Sequence, residues 1–307
     1  MNLPKKLTIF LLAFCLCLTP VFPARAAASS ITSSLYKSLN KKTLKKLQKR
    51  YSKQTAARML KLLQKQEMTS LKNKINTYLK NNGLPASEWS VYVKNLNSDR
   101  SIYINKRRFT AASTIKLFTM GATYDKIQKK KLTKTSHIYS LLYSMITYSS
   151  NDAFNSLSGD YVGTDYINQF IKKNGFTSTA QYKGIGPSTH PYYTQTTSYG
   201  VNHTSAKDCG KLLEMIYDGK LVSKAASKEM LNLLKQQKLR SKIPAGIPSG
   251  ITVANKTGEY ENFQHDTAIV YGKKTTYIIC IFSEDTVGAN SYYHIQQLSR
   301  LVYNHLN

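Results

Sequence analysis

The sequence predicts a mixed α+β fold in which one antiparallel sheet of five strands is built from both ends of the chain. Two β-branched and aromatic segments near residue 90 form a predicted hairpin, and three more strand-like segments follow residue 250. The interval between these two groups is mainly helical. We therefore expect helices to flank the sheet and the long interval to form an all-helical second lobe.

The first 26 residues have the features of a secretory signal peptide. Lys5 and Lys6 precede the apolar run "LTIFLLAFCLCL", and Ala24–Ala26 is a cleavage site of the small-x-small type. The apolar run is short for a transmembrane helix, and no later run is long and apolar enough to span a bilayer. We therefore expect an exported protein that is soluble or is held at the cell surface by charge.

The formal net charge of +28 indicates polyanionic surroundings. The charge stays strongly positive without Lys5, Lys6 and Arg25 of the predicted signal peptide. An anionic membrane face and anionic cell-wall polymers both fit an exported cationic protein. Nucleic acid does not fit, because export separates it from the chain and the sequence carries no nucleic-acid-binding motif.

Residues 27–67 are assigned to a basic linker that becomes an amphipathic helix. The stretch 27–40 is rich in Ser and Ala, whereas residues 41–81 carry 13 Lys or Arg and a single acid, Glu67. Apolar residues recur there at helical spacing, with a break expected near Ser52: Leu44, Leu47, Tyr51, Met59, Leu62 and Leu63. The pattern is typical of a solvated, charged spacer, which we favour, or of a tether to anionic lipid or wall polymer.

Residues 68–307 are assigned to the folded domain, with 68–112 and 250–307 forming an α/β lobe and 113–249 a helical lobe. In chain order the predicted elements are a helix ending at "NNG" (81–83), strands at 89–96 and 101–105, helical stretches at 109–124, 133–174 and 205–237, strands within 251–258, 266–272 and 275–282, and a helix at 291–306. Residues 175–204 are dense in Gly, Ser, Thr, Tyr and Pro and show no clear period.

Ser113 and Lys116 stand in "ASTIKLFTM", at the start of a predicted helix. Residues three apart lie on the same helix face, and the positive end of the helix dipole favours a developing anion beside the serine. A lysine in apolar surroundings has a lowered pKa, so its neutral amine is able to take the proton of the hydroxyl. Ser113 is therefore a candidate nucleophile with Lys116 as its base.

The spacing alone is weak evidence, because it also occurs at Ser34/Lys37 and Ser38/Lys41 in the linker region. Two further segments strengthen it. "YSSNDAF" places Ser149 and Asn151 at the end of an apolar helical stretch, and "ANKTGEY" places Lys256, Thr257 and Gly258 on a predicted strand. The order S-x-x-K, S-x-N and K-T-G is a strong joint signal.

With these motifs the sequence resembles the penicillin-recognising serine hydrolases, in particular class A β-lactamases and their D,D-peptidase relatives. The likeness covers most of residues 68–307. It implies that Ser113 attacks the substrate carbonyl and forms an acyl-enzyme while Lys116 takes its proton. Ser149, helped by Lys256, would relay a proton to the departing nitrogen. The backbone N–H groups of Ser113 and Glu259 would form the oxyanion hole.

The resemblance also implies how the substrate is held. Asn151 would hydrogen-bond the side-chain amide of the substrate, and Lys256 and Thr257 would hold its carboxylate. Gly258, which has no Cβ, would let the strand edge lie close to the ligand. The implied substrates are β-lactams or the D-Ala-D-Ala peptides of the cell wall.

The sequence departs from the class A pattern most clearly at the base that activates water for deacylation. Class A enzymes carry this glutamate in an E-x-x-L-N segment, and no acid occurs here between Asp165 and Asp208. Recruitment of Asp160 or Asp165 is an alternative. Without such a base we expect slow release of the acyl group, as in a penicillin-binding protein or a slow β-lactamase.

Two smaller departures concern Ser150 and Glu259. Ser150 stands where the family has the aspartate of S-D-N, so it cannot make the same buried hydrogen bonds. Glu259 follows K-T-G directly, where small or hydroxyl residues are usual. If its side chain points away, only its N–H acts on the substrate, whereas an inward carboxylate would repel a substrate carboxylate.

The remaining candidate residues predict no metal site and no cofactor. The sequence has no CxxC and no His pair at zinc spacing. Without a G-x-S-x-G elbow it does not support a Ser/His/Asp triad. His265 either lines the site or, as we favour, is a turn or strand-start residue. Cys209 and Cys280 form a disulfide or stay as buried thiols.

The competing hypotheses are an exported acyl-serine hydrolase, which we favour, and a wall-associated module that binds penicillin slowly or without turnover. Glu259 and the missing loop carboxylate motivate the second. The joint presence of the motif residues speaks against it, because an inactive scaffold has no need of a lysine such as Lys116 in an apolar setting. A third hypothesis, surface binding through the basic segment, is compatible with the first.

Overall fold

A computed structural model describes residues 41–307, apart from residues 50, 198, 286, 287 and 289. The expected signal peptide (1–26) and the stretch 27–40 lie outside the described residues. Within the described part, every helix is too short or too polar to cross a bilayer.

One antiparallel sheet of five strands, in the order β2-β1-β7-β6-β5, forms the centre of the molecule. A separate pair, β3 and β4, joins the residues just before the helical interval to a short strand within it. The strands are β1 (Trp89–Asn95), β2 (Arg100–Ile104), β3 (Phe109–Thr110), β4 (His203–Thr204), β5 (Val253–Tyr260), β6 (Phe263–Tyr271) and β7 (Thr276–Glu284). The prediction of one sheet built from both chain ends is confirmed.

The sheet is buried on both faces, and the alternation along its middle strand β7 explains why. Ile278, Cys280 and Phe282 pack into a core shared with the helical region, whereas Tyr277, Ile279 and Ile281 pack into a second core on the opposite face. Successive side chains of a strand point to opposite faces, so a continuous apolar strand supplies both cores.

The described residues contain ten α-helices. They are α1 (Lys41–Gln48), α2 (Lys53–Asn81), α3 (Lys116–Gln128), α4 (Ser136–Thr147), α5 (Asn151–Ser156), α6 (Thr164–Lys173), α7 (Pro191–Thr196), α8 (Ala206–Tyr217), α9 (Lys224–Lys235) and α10 (Ser291–Leu306). Helices α3 to α9 all fall between the two groups of sheet strands, as the sequence predicts. Only the short α7 lies in the stretch 175–204.

Helix α2 joins the basic segment to the folded domain without interruption. The break expected near Ser52 is present, and the Ser52 hydroxyl caps the helix by accepting a hydrogen bond from the Thr55 N–H at 3.2 Å. From there α2 runs unbroken to Asn81. Its buried apolar residues from Met68 onward pack into the second core, on the face of the sheet opposite the helical region. The boundary expected between residues 67 and 68 therefore falls inside one continuous helix.

Glu67, the only acid in residues 41–81, is buried where α2 meets β1 and α10. Asn95 Nδ2 donates a hydrogen bond to its carboxylate at 3.2 Å, and His305 Nε2 donates to its backbone oxygen at 3.0 Å. Lys74 Nζ donates to the other ring nitrogen of His305 at 3.2 Å. Burial raises the pKa of Glu67 from 4.5 to about 7, because the charged form is poorly solvated there.

We expect Glu67→Gln to remove a pH dependence of stability. The folded state keeps a proton on Glu67 up to about pH 7, whereas in the unfolded chain this carboxyl loses its proton near its ordinary pKa of 4.5. The folded state thus binds more protons between these values, and the Glu67 contribution to the free energy of unfolding falls as pH rises through them. Urea denaturation at pH 5 and pH 8 should show the variant gaining about 2 kcal/mol relative to wild type at the higher pH.

His305 has the opposite trend, since burial lowers its pKa from 6.5 to about 4, but it is present in both proteins and cancels in the difference. Glu88→Gln makes the same chemical change outside this cluster and serves as the control. A constant difference between Glu67→Gln and wild type at both pH values would contradict the assignment of this pH dependence to Glu67.

Candidate active site

The predicted nucleophile Ser113 lies on a short 3₁₀ turn, Ala112–Ile115, that leads from β3 into helix α3. Ala112 has a φ of +45°, a left-handed conformation that is unusual for a residue with a Cβ. Ser113 lines a cavity of about 760 Å³. The cavity also contacts four other predicted site residues: Ser149, Asn151, Thr257 and Glu259.

Lys116 lies one turn after Ser113 and is completely buried. Its Nζ is 3.0 Å from Ser113 Oγ, and it donates hydrogen bonds to the Ser149 carbonyl at 2.6 Å and to Asn151 Oδ1 at 2.8 Å. Burial lowers the pKa of Lys116 well below its usual range, and the positive charge of Lys256 lowers it further. The predicted base therefore lies within hydrogen-bond distance of the predicted nucleophile.

Ser149 is the point where two buried lysines meet. Lys256 Nζ donates to Ser149 Oγ at 2.8 Å and to the Thr257 carbonyl at 2.7 Å, while Lys116 Nζ is 3.4 Å from the same hydroxyl. Ser149 has a φ of +61°, again left-handed. Burial lowers the pKa of Lys256 to about 7, against the opposing effect of Asp266.

Gly258 is required by the packing of β5 against the nucleophile turn. A Cβ at this position would lie 2.9 Å from Thr114 Cγ2 and 3.2 Å from both Ala111 O and Thr114 N. From the sequence, Gly258 is expected to let a ligand approach the strand closely. The structure gives a different reason, since the missing Cβ lets the K-T-G strand contact the residues that flank Ser113.

The second motif is organised by helix capping. The Ser150 hydroxyl accepts a hydrogen bond from the Ala153 N–H at 3.2 Å and so caps α5, whose first residue is Asn151. Asn151 Oδ1 accepts from Lys116, and its Nδ2 donates to the Gly186 carbonyl at 3.1 Å. Ser150 thus supports the motif through the backbone, and Asn151 links the lysine to the loop beside the cavity.

Comparison with known proteins agrees with this geometry. A model of the beta-lactamase enzyme family matches residues 70–140 and 133–306. The chain belongs to the beta-lactamase enzyme family. It is a serine hydrolase of the β-lactamase type, and the expected fold class is confirmed by solved structures.

A variant of PBP-A, in an acyl-enzyme complex with penicillin G, is 22% identical over 77% of this chain and 96% of that chain, with a TM-score of 0.64. A beta-lactamase from Chitinophaga pinensis is 20% identical over 78% of this chain and 100% of that chain, with a TM-score of 0.66. A beta-lactamase from Sphaerobacter thermophilus is 19% identical over 74% of this chain and 95% of that chain, with a TM-score of 0.64. These similarities establish the shared fold.

Glu259, the unusual acid after K-T-G, has its carboxylate held at the edge of the cavity of this β-lactamase-family protein. The Tyr292 hydroxyl donates a hydrogen bond to it, and the ammonium of the buried Lys242 lies 3.5 Å away. The acid is therefore paired with a cation. The Glu259 carboxylate faces Tyr292 and Lys242, and the Glu259 backbone borders the cavity.

The loop after the second motif has no carboxylate at the place where the β-lactamase-family cavity approaches Asn151. Gly186 lies there, and a Cβ on it would be 2.3 Å from Tyr193 Cζ and 2.4 Å from its hydroxyl oxygen. The Tyr193 side chain thus fills the space that a side chain at 186 would need. Among the described residues, the acids that line the cavity are Glu259 and Glu261, both on the β5–β6 hairpin.

The alternative that Asp160 or Asp165 serves as the deacylating base is not supported by their positions. Asp160 accepts hydrogen bonds from Ser156 at 2.7 Å and His190 at 3.0 Å, and Asp165 lies in the first turn of α6. Neither is among the residues that line the cavity. Both carboxylates therefore lack the contact with the cavity that a base for water needs.

His265, Cys209 and Cys280 pack behind the β-lactamase-family site. His265 lies in β6, where its Nε2 donates to the Thr110 carbonyl at 2.8 Å and its ring stacks on Phe282. This agrees with the interpretation of His265 as a strand residue. Cys209 and Cys280 are both free and buried.

Three residues at the site were not singled out for it by the sequence: Lys183, Gly186 and Lys242. Lys183 and Gly186 line the cavity from the aperiodic stretch 175–204, where no motif marks them. Lys242 lies buried against β5, where its Nζ donates to the Gly258 carbonyl. The chain brings it there by folding back after α9. No sequence signal distinguishes it from the many other lysines of this basic chain.

We expect Lys256 to lose its proton near pH 7. A pKa of about 7 means that half of the molecules carry the Lys256 charge at neutral pH and that the charge disappears as pH rises further. The measurement is a pH titration of the lysine Cε resonances in protein labelled with 13C-lysine. The resonance that is absent from Lys256→Gln should titrate near pH 7, and a midpoint above pH 9 would refute the lowered pKa.

Proposed function

We propose that this protein is an exported enzyme that acylates Ser113 with β-lactams or with D-alanyl peptides of the cell wall and releases the acyl group slowly. The family and the serine hydrolase type are established above. The observation that carries the proposal is the set of hydrogen bonds around the buried amine of Lys116. The acyl-enzyme complex of the PBP-A variant with penicillin G supports β-lactams as substrates.

As a neutral amine, Lys116 is able to make its three shortest contacts. Such an amine has two N–H donors and one lone pair. The donors are taken by the Ser149 carbonyl at 2.6 Å and Asn151 Oδ1 at 2.8 Å, which leaves the lone pair for the hydroxyl of Ser113 at 3.0 Å. Lys116 is thus placed to accept the Ser113 proton as Oγ bonds to the substrate carbonyl carbon.

The second lysine is placed to complete the proton transfer. As the C–N bond of the substrate breaks, the leaving nitrogen needs a proton, which Ser149 Oγ supplies. Lys256 Nζ lies 2.8 Å from Ser149 Oγ, and in its ammonium form it donates the proton that replaces the one Ser149 has lost. Thr257 lines the cavity beside Lys256, so the pair also offers a hydroxyl and a cation to a substrate carboxylate.

Stabilisation of the oxyanion is assigned to the N–H groups of Ser113 and Glu259. Both residues border the cavity, and the absence of a Cβ on Gly258 brings the two backbones together. Each such donor contributes about 3 kcal/mol to stabilisation of the transition state.

Slow release follows from what borders the acyl group. Water must be activated by a base within hydrogen-bond distance, and a positioned base contributes about 10²–10⁴-fold to the rate. Gly186 carries no side chain, and Tyr193 occupies the space next to it. Of the two acids that line the cavity in the described residues, Glu259 has its carboxylate engaged by Tyr292 and Lys242, and Glu261 is exposed on the turn between β5 and β6.

We expect wild-type protein mixed with penicillin G to gain the mass of one penicillin and to keep it for minutes or longer, because no positioned base speeds its hydrolysis. Intact-mass spectrometry over time measures both steps. Ser113→Ala should gain no mass, whereas Ser34→Ala, which removes the serine of another S-x-x-K, should behave as wild type. A folded wild-type sample without adduct at high penicillin would refute acylation, and loss of the adduct within seconds would refute slow release.

The alternative of a non-catalytic module is tested in the same samples with a chromogenic cephalosporin. Steady hydrolysis that disappears in Ser113→Ala would exclude the module. Acylation without any turnover would instead support it.

We also propose that the basic segment holds the protein at an anionic surface. Its exposed cations have no ion pair with any described residue, and the only acid of residues 41–81 is buried. These cations, named the basic stripe, are Lys45, Lys49, Lys53, Arg58, Lys61, Lys65 and Lys72. Unpaired cations along two successive helices attract phosphate-rich polymers and anionic lipid alike.

We expect neutralisation of the basic stripe to weaken binding to anionic vesicles and to isolated wall sacculi, measured by co-sedimentation at low and high salt. The test variant changes Arg58, Lys61, Lys65 and Lys72 to Gln. The control variant removes the same charge elsewhere, at Lys130, Lys172, Lys224 and Lys228. Equal loss of binding in both variants would show that only net charge matters, and binding to one surface alone would identify that surface as the partner.

A further inference from the structure

We propose that Lys242 is a positioning residue for acylation, acting through the peptide bond between Gly258 and Glu259. The ammonium of Lys242 binds the carbonyl of this peptide, and the N–H of the same peptide is one of the two proposed oxyanion donors. This inference rests on the proposed function of the site. It assigns a role to a buried cation that the reaction scheme above does not use.

Lys242 is held beneath the K-T-G strand with its side chain 1% exposed. It directly precedes the 3₁₀ turn Ile243–Gly246, and its Nζ donates to the Gly258 carbonyl at 3.0 Å and reaches the His265 carbonyl at 3.4 Å. Both acceptors belong to the paired strands β5 and β6, where Gly258 lies opposite His265.

The planarity of the peptide bond sets the direction of the donor. In a trans peptide the carbonyl and the following N–H point in opposite directions. The Gly258 carbonyl points to Lys242, so the Glu259 N–H points away from it. The contacts that a Cβ on Gly258 would make with Ala111 and Thr114 place this peptide against the nucleophile turn. Lys242 and the oxyanion therefore lie on opposite sides of one peptide group.

A cation on the carbonyl side strengthens the donor on the other side. Hydrogen bonds in series polarise each other, and the effect is larger where water is excluded. Lys242 also fixes the plane of the peptide, so that no reorganisation is needed when negative charge develops on the substrate oxygen. Burial lowers the pKa of Lys242, while Asp266 and Glu259 act in the opposite direction and favour the charged form.

The same geometry accounts for the acid after K-T-G. The Glu259 carboxylate lies 3.5 Å from Lys242 Nζ, and the face of Tyr292 lies 4.7 Å from that ammonium. Glu259 is thus one counter-ion of the positioning lysine, beside Asp266. Removal of Lys242 alone would release this carboxylate at the cavity edge, where it would repel a substrate carboxylate, so the two effects have to be separated.

The experiment compares Glu259→Gln with the double variant Lys242→Met/Glu259→Gln, since neither protein carries the acid. Each is acylated with penicillin labelled with 13C at the β-lactam carbonyl. Isotope-edited infrared spectroscopy then gives the stretching frequency of the ester carbonyl, which falls as the oxyanion donors pull harder on its oxygen. We expect a higher frequency in the double variant, and an acylation rate constant about tenfold lower at unchanged penicillin affinity.

A merely structural role of Lys242 would lower thermal stability without moving the carbonyl frequency, and that result would overturn the proposal. Unchanged frequency and rate would overturn it as well. If Lys242→Met does not fold, Lys242→Gln keeps a neutral donor at the site and should give an intermediate frequency. Absence of any adduct in wild type would refute the proposed function itself, whereas adducts with identical frequencies in all variants would refute only this inference.

Discussion

The site depends on two lysine amines that are kept out of water around one serine. Lys116 and Lys256 both reach Ser149, at 3.4 and 2.8 Å from its hydroxyl. Burial and mutual repulsion disfavour a charge on both amines at once. Asp266 favours the charge on Lys256, whereas burial and the charge of Lys256 disfavour the charge on Lys116. The environment thus favours Lys116 as the base and Lys256 as the acid.

The fold provides this arrangement by joining the two chain ends in one sheet. Strand β5, from the C-terminal part, carries Lys256 and contacts the nucleophile turn through the missing Cβ of Gly258. The left-handed φ angles of Ala112 and Ser149 lie at the two places where the backbone turns into the site. Such conformations persist only where surrounding packing holds them, and here the sheet and the helices of the inserted lobe provide it.

The sequence predicts the sheet, most helices and the S-x-x-K, S-x-N and K-T-G residues, because strand alternation, helix caps and short motifs are local properties. The hydroxyl of Ser52 and the "NNG" at the end of α2 are examples. The contacts of Lys242 and the direction of the Glu259 side chain arise from residues distant in sequence, so no local pattern carries them. The continuity of α2 through residue 67 is not predicted for a related reason. The composition of the chain changes at residue 67 and suggests a boundary, whereas the burial of Glu67 depends on His305 and Asn95, which are distant in sequence.

The contact between Gly186 and Tyr193 limits how this enzyme is able to evolve. A single exchange that introduces a carboxylate at position 186 places its Cβ 2.3 Å from Tyr193 Cζ, so the Tyr193 ring has to move. A single exchange that removes the ring supplies no carboxylate. An acid introduced at position 186 therefore requires a shift of Tyr193 or a smaller residue at position 193. We expect these two positions of the loop to change together.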